Sequence, residues 1–69
     1  MKTTSIGKAE TSVILTYDEV YLLLQCVAET REKMPPGDMP AILGITKDEL
    51  SAFGIELRKL REAMEDMAV

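Results

Sequence analysis

The sequence predicts an all-α fold. We expect an antiparallel helical hairpin, with helices at about residues 16–34 and 46–67, preceded by a short extended segment. Two segments carry apolar residues at helical spacing, both begin with the same start signal, and a proline-rich loop separates them. Since a hairpin alone leaves apolar surface uncovered, two or more copies are expected to form a four-helix-bundle-like homo-oligomer.

The first helix is predicted from its start signal. Thr16 is a good N-cap and Glu19 follows three residues later, the spacing of a capping box. Leu15 and Val20 flank the cap as a hydrophobic staple. The following apolar residues recur at helical spacing and predict one apolar face, a stripe along the helix: Val20, Leu23, Leu24, Val27 and Met34.

Leu22 and Cys26 lie outside that stripe. They are one helical turn apart, towards the polar side of the helix, and with Leu23 they form a continuous apolar patch. A patch of this kind usually marks a contact surface. It is the main sequence indication of self-association.

The second helix repeats the start signal, with Thr46 as N-cap and Glu49 three residues later. Its apolar residues follow a two-in-seven pattern: Leu50, Phe53, Leu57, Leu60, Met64 and Met67. Gly54 costs a helix about 1 kcal/mol, which predicts a close backbone approach there.

Between the helices, Pro35, Pro36 and Gly37 predict a turn. A short helical turn is expected from Asp38 to Leu43, closed by Gly44.

The N-terminal residues carry little pattern. Residues 1–10 are predicted to be a flexible arm, and residues 11–69 a single helical-hairpin domain. The β-branched run in residues 11–15 predicts either an extended lead-in or a short strand. Since no second strand is predicted, a strand there would have to pair with another copy.

The length of the chain also favours assembly. A chain of 69 residues buries a small core, and such chains usually add disulfides, a metal or oligomerisation. One cysteine and no histidine exclude an internal disulfide and a single-chain zinc site of the usual ligands. No cofactor or metal is expected.

Eight basic and twelve acidic residues give a net charge of −4. This charge disfavours nucleic acid and anionic membranes as partners. With no signal-peptide pattern, no membrane-length apolar run and a single cysteine, a cytoplasmic location is expected.

Enzyme motifs are lacking, and no enzymatic activity is predicted. The sequence has no histidine, no glycine-rich phosphate loop and no nucleophile elbow. Two pairs of glutamates, Glu29 with Glu32 and Glu62 with Glu65, have a spacing that can hold Mg²⁺. They lie opposite the apolar stripes, which favours solvated helix faces.

Two patterns resemble DNA-binding families. Met39, Leu43, Ile45, Leu50 and Phe53, with Gly44 at the turn, resemble the apolar skeleton of a helix-turn-helix motif, which implies a transcriptional regulator. The sequence departs from it at Pro40 and at the acidic start of the second helix. A strand followed by two helices resembles ribbon-helix-helix dimers, but residues 11–15 lack basic or amide side chains.

The sequence is therefore interpreted as a small acidic protein-interaction module: an adaptor, an inhibitor or a regulatory subunit. Its first partner is predicted to be itself, most simply as a homodimer, and its second another protein. The predicted oligomer interface comprises Val20, Leu22, Leu23, Cys26, Val27, Leu57 and Leu60. The predicted contacts for another partner are Arg31, Met39 and Ile42. DNA binding, and a small ligand held between protomers, stay open as alternatives.

Overall fold

The computed structural model describes residues 1–67. In chain order it contains two strands and three helices: β1 (Lys2–Ile6), β2 (Thr11–Ile14), α1 (Tyr17–Lys33), α2 (Met39–Leu43) and α3 (Lys47–Met67). The strands form a two-stranded antiparallel sheet, and α1 packs along α3. The prediction of an all-α helical hairpin that assembles as a four-helix bundle is therefore wrong, because a β-hairpin precedes the helices.

The β-hairpin joins residues 2–6 to residues 11–14. Lys2 pairs with Ile14 and Ile6 with Thr11, and the register shifts between Thr3 and Ser5. The turn closes through a 2.8 Å hydrogen bond from the Gly7 N–H to the Glu10 carbonyl. A Cβ on Gly7 would lie 2.7 Å from that carbonyl oxygen, so the turn requires glycine.

No partner strand for residues 11–15 was predicted within the chain, and this prediction was wrong. β1 was missed because its side chains are mostly Thr and Ser, with no apolar alternation. Every residue of both strands is exposed, so neither face needs to be apolar. Side-chain hydroxyls add to the pairing instead, since Thr4 and Thr11 donate to the carbonyls of Ser12 and Ser5. The flexibility predicted for residues 1–10 stays a prediction.

Both long helices begin as the sequence predicted. The Glu19 N–H donates to Thr16 Oγ1 at 3.2 Å, and the Thr16 N–H donates to Glu19 Oε1 at 3.0 Å. The same reciprocal pair joins Thr46 and Glu49 at 3.1 and 3.2 Å. These bonds satisfy amide groups that a helix start otherwise leaves without partners, and both capping boxes are confirmed.

The core lies between α1 and α3, with α2 across one end. Its buried apolar residues are Val20, Leu24, Val27, Met39, Leu50 and Leu57. Gly54 is also buried, and a Cβ there would lie 3.1 Å from Val27 Cγ1, which confirms the predicted close approach of the helices. Gly44 ends α2 in the left-handed conformation at φ 73°, as predicted. Only six large apolar side chains are buried among the residues described.

Candidate functional site

The packing of α1 on α3 leaves a groove on each side of the helix pair. The buried stripe of α1 runs through Leu24 and Val27. Leu23 and Cys26 lie to one side of that stripe, and Ala28 and Arg31 lie to the other. The two grooves differ in chemistry, since one is apolar and the other carries arginine.

The first groove has a cavity of about 300 Å³ and no charged lining residue. α1 contributes Leu23 and Cys26, the end of α2 contributes Leu43, and α3 contributes Phe53. A neighbouring hollow of about 200 Å³ continues the surface past Leu23, and its lining residues are Met1, Leu15, Glu19, Leu22 and Leu23. We define the apolar face as Leu22, Leu23, Cys26, Leu43 and Phe53.

The apolar face is open to solvent in the single chain. The exposed fraction is 63% for Leu22 and 51% for Phe53, and Cys26 is a free, exposed thiol. Leu60, which lies two helical turns after Phe53 on the same side of α3, is 44% exposed. Large apolar side chains grouped in this way form a patch rather than the scattered exposure of ordinary surface.

The predicted interface residues divide into two groups. Leu22, Leu23, Cys26 and Leu60 are exposed, whereas Val20, Val27 and Leu57 are buried within the chain. Those three pack between α1 and α3, so a partner has no access to them while the helices stay packed. Neither Leu43 nor Phe53 was predicted to lie in the interface, because Leu43 comes beside α1 through α2 and Phe53 through the packing of α3 on α1. The assignment of an interface stays a prediction.

The predicted contacts for another partner are also separated by the fold. Met39 is fully buried at the end of the helix pair, while Ile42 on the same short helix is 66% exposed. Arg31 is exposed and lies in the second groove, away from both. Helical spacing within Met39–Leu43 explains the split, since one side of so short a helix faces the core and the other faces solvent.

The second groove has a cavity of about 340 Å³. Its floor is formed by Leu24, Val27 and Gly54. Ala28 and Arg31 stand on the α1 side. The α3 side carries Ser51, Ile55 and Arg58. We call this cavity the arginine groove. Ser51, Ile55 and Arg58 lie one turn apart along one side of α3, so Ile55 forms part of the groove wall.

Polar contacts tie the open end of the helix pair together. The Tyr17 O–H donates to Glu65 Oε1 at 2.7 Å, linking the start of α1 to the end of α3. This bond favours the protonated phenol and raises the pKa of Tyr17 above its usual value. The amino group of Met1 and the Thr16 N–H both donate to Glu19 and hold the pKa of that carboxyl below its usual value.

One glutamate of each pair weighed as a metal ligand has another partner. Lys33 Nζ lies 3.1 Å from Glu29 Oε2 in an ion pair, and Glu65 contacts both Tyr17 and Arg61. Within residues 1–67 no three metal-binding side chains come together, and no helix is long and apolar enough to cross a membrane.

Comparison of the chain with known protein families, curated proteins and solved structures found no match.

Proposed function

We propose that the protein is a small protein-interaction module that acts as a homo-oligomer, most simply a dimer, with the apolar face as its self-contact surface. The observation that carries this proposal is the apolar face itself. Four of its five residues line a groove that has no charged lining residue, and Leu22 continues the apolar surface in the neighbouring hollow, which Glu19 also lines. The occupant that we propose for it is the apolar face of a second copy.

Charge supports a second copy at this face. The chain carries a net charge of −4, so two copies repel each other wherever acidic surfaces meet. The groove of the apolar face has no charged lining residue, so two copies can approach there without burying like charges. A two-fold arrangement places the same apolar residues on both sides of the contact, so the patch needs no other surface to match it.

Stability supports the same conclusion. The helix pair buries six large apolar side chains, and the single cysteine leaves no internal disulfide to supplement them. Each large apolar side chain that is fully buried contributes about 1.5 to 3 kcal/mol. Covering Leu22, Leu23 and Phe53 would therefore add a substantial fraction to the burial that one copy achieves.

The free thiol Cys26 suits the reducing cytoplasm, which is the location we propose.

The experiment compares two substitutions on α1 that add the same charge. Leu22→Glu places a carboxylate in the apolar face, and Gln25→Glu places one at an exposed position three residues later but outside the face. We expect the wild-type chain and Gln25→Glu to assemble equally, and Leu22→Glu to dissociate, because burying an unpaired charge is costly. Light scattering coupled to size exclusion measures the mass, and circular dichroism measures helix content.

Two results would contradict the proposal. One is a wild-type chain that stays at its monomer mass of 7.7 kDa up to high micromolar concentration. The other is an assembly that survives Leu22→Glu unchanged. If Leu22→Glu unfolds as it dissociates, Phe53→Ser tests the opposite wall of the same groove with a neutral residue, and we expect it to weaken the assembly as well.

A further inference from the structure

From the arginine groove we infer a binding site for a small organic carboxylate with an apolar body. The site lies within one copy of the chain and does not require self-association. The groove contains the two features that such a ligand needs: cationic groups at its rim and an apolar floor.

The charge of the groove is opposite to that of the molecule. Twelve acidic residues give the chain a net charge of −4, yet no acidic residue lines this groove. Arg31 and Arg58, two of the three arginines in the sequence, enter it from opposite helices. Neither makes an ion pair within residues 1–67, whereas Lys33, Lys59 and Arg61 each pair with a glutamate on their own helix. The groove therefore holds two of the five basic side chains that make no ion pair within residues 1–67, and the other three, Lys2, Lys8 and Lys47, lie outside it.

Arginine is suited to this role because its planar guanidinium donates two parallel hydrogen bonds to a carboxylate. The Ser51 hydroxyl, also in the lining, supplies a further donor. Leu24 and Val27 on the floor and Ile55 on the wall offer an apolar surface for the body of the ligand. Gly54 keeps the floor open, since it has no side chain to fill the space between the helices.

The size of the cavity favours a small molecule over a macromolecule. Its volume of about 340 Å³ lies at the lower end of the range of ligand pockets, roughly 300 to 1,000 Å³. A partner helix would need a longer groove with several apolar anchors. Nucleic acid would meet a chain whose net charge is −4, with only two arginines in the groove to attract it. We therefore assign the site to an amphipathic carboxylate.

Octanoate is the probe, titrated into the full chain at neutral pH below its micelle concentration, with amide NMR as the readout. We expect saturable shifts that centre on the groove amides, including those of Arg31, Ser51, Gly54 and Arg58. Octanamide, which has the same apolar body without the charge, should bind at least about tenfold more weakly, as expected for the loss of a charge-assisted hydrogen bond. Inorganic phosphate, which has charge without the apolar body, should also bind more weakly.

Two double variants test the arginines. Arg31→Gln with Arg58→Gln should weaken octanoate binding at least about tenfold. Lys33→Gln with Lys59→Gln removes the same charge outside the groove and should leave the affinity within about twofold of wild type. Circular dichroism confirms that both variants are folded. The inference is overturned if octanamide or phosphate binds as tightly as octanoate, if the arginine variant binds octanoate normally, or if the shifts centre on the apolar face.

Discussion

Thr16 and Thr46 show how single residues fix the positions of the long helices. Each hydroxyl accepts a hydrogen bond from the backbone N–H three residues later, and the glutamate at that position bonds back to the threonine N–H. Each pair of bonds satisfies amides at a helix start. Since both boxes are readable from the spacing of Thr and Glu alone, the helix starts could be predicted from the sequence.

We predict that Thr16→Ala and Thr46→Ala each lower the free energy of unfolding by about 1 kcal/mol. The reason is the loss of the hydroxyl acceptor while the helix N–H remains. Thr16→Ser and Thr46→Ser keep the acceptor and should stay close to wild type. Urea denaturation followed by circular dichroism measures all four. If neither alanine variant changes stability by more than about 0.3 kcal/mol, the caps do not hold the helices.

Gly54 influences how closely α3 packs against α1, because it has no side chain facing Val27. Alanine is favoured over glycine in a helix by about 1 kcal/mol, but here the new methyl group would lie 3.1 Å from Val27 Cγ1. The helix preference raises the stability of Gly54→Ala and the close contact lowers it, so the single substitution does not separate the two effects.

A double-mutant cycle separates them. We predict that Gly54→Ala is more favourable in a Val27→Ala background than in the wild type, by at least about 0.5 kcal/mol, because the shortened Val27 removes the contact. Denaturant melts of the four chains give the coupling energy. An identical effect of Gly54→Ala in both backgrounds would show that the helices are not in contact at this point.

At the scale of elements, the helices could be predicted and the β-hairpin could not. α1 and α3 lie within one residue of their predicted bounds, because their caps and apolar spacing both depend on local sequence. β1 has neither signal. Its sequence offers only Thr3, Thr4 and Ser5, followed by Gly7, as indications of a strand and a turn. A fully exposed strand shows no apolar alternation.

The two grooves could be predicted only in part, for a related reason. Leu22 and Cys26 were identified because they are apolar residues on the wrong side of one helix. Leu43 joins the same face only through the position of α2, and Phe53 only through the packing of α3 on α1. Arg58 lies opposite Arg31 because α1 and α3 are antiparallel and in a particular register, which no pattern within a single helix specifies.

The junction between α2 and α3 depends on Gly44, whose φ of 73° disfavours side chains. We predict that Gly44→Ala lowers stability by about 1 to 2 kcal/mol, the cost of a left-handed conformation for a residue with a Cβ. Gly37 is the matched control, since a Cβ there would have no neighbour within 4 Å and its φ is not left-handed. Gly37→Ala should stay within about 0.5 kcal/mol of wild type in the same melts. Equal costs at the two glycines would refute the role of Gly44.

At the scale of the whole molecule, the chain has a small core, a net negative charge and two unlike grooves. The core holds α1, α2 and α3 together, while the apolar face and the arginine groove lie on opposite sides of the same helix pair. A second copy on one side and a small carboxylate on the other could therefore bind at the same time. We propose that a second copy covers the apolar face.

Cys26 tests that claim directly, because the only thiol of the chain lies in the apolar face. The measurement is the rate at which a thiol reagent in excess modifies Cys26, followed from nanomolar to high micromolar protein. If two apolar faces pack together, the rate per thiol falls as the protein concentration rises, and in Leu22→Glu it stays fast throughout. A wild-type modification rate that is fast and identical at every protein concentration would contradict self-association through the apolar face.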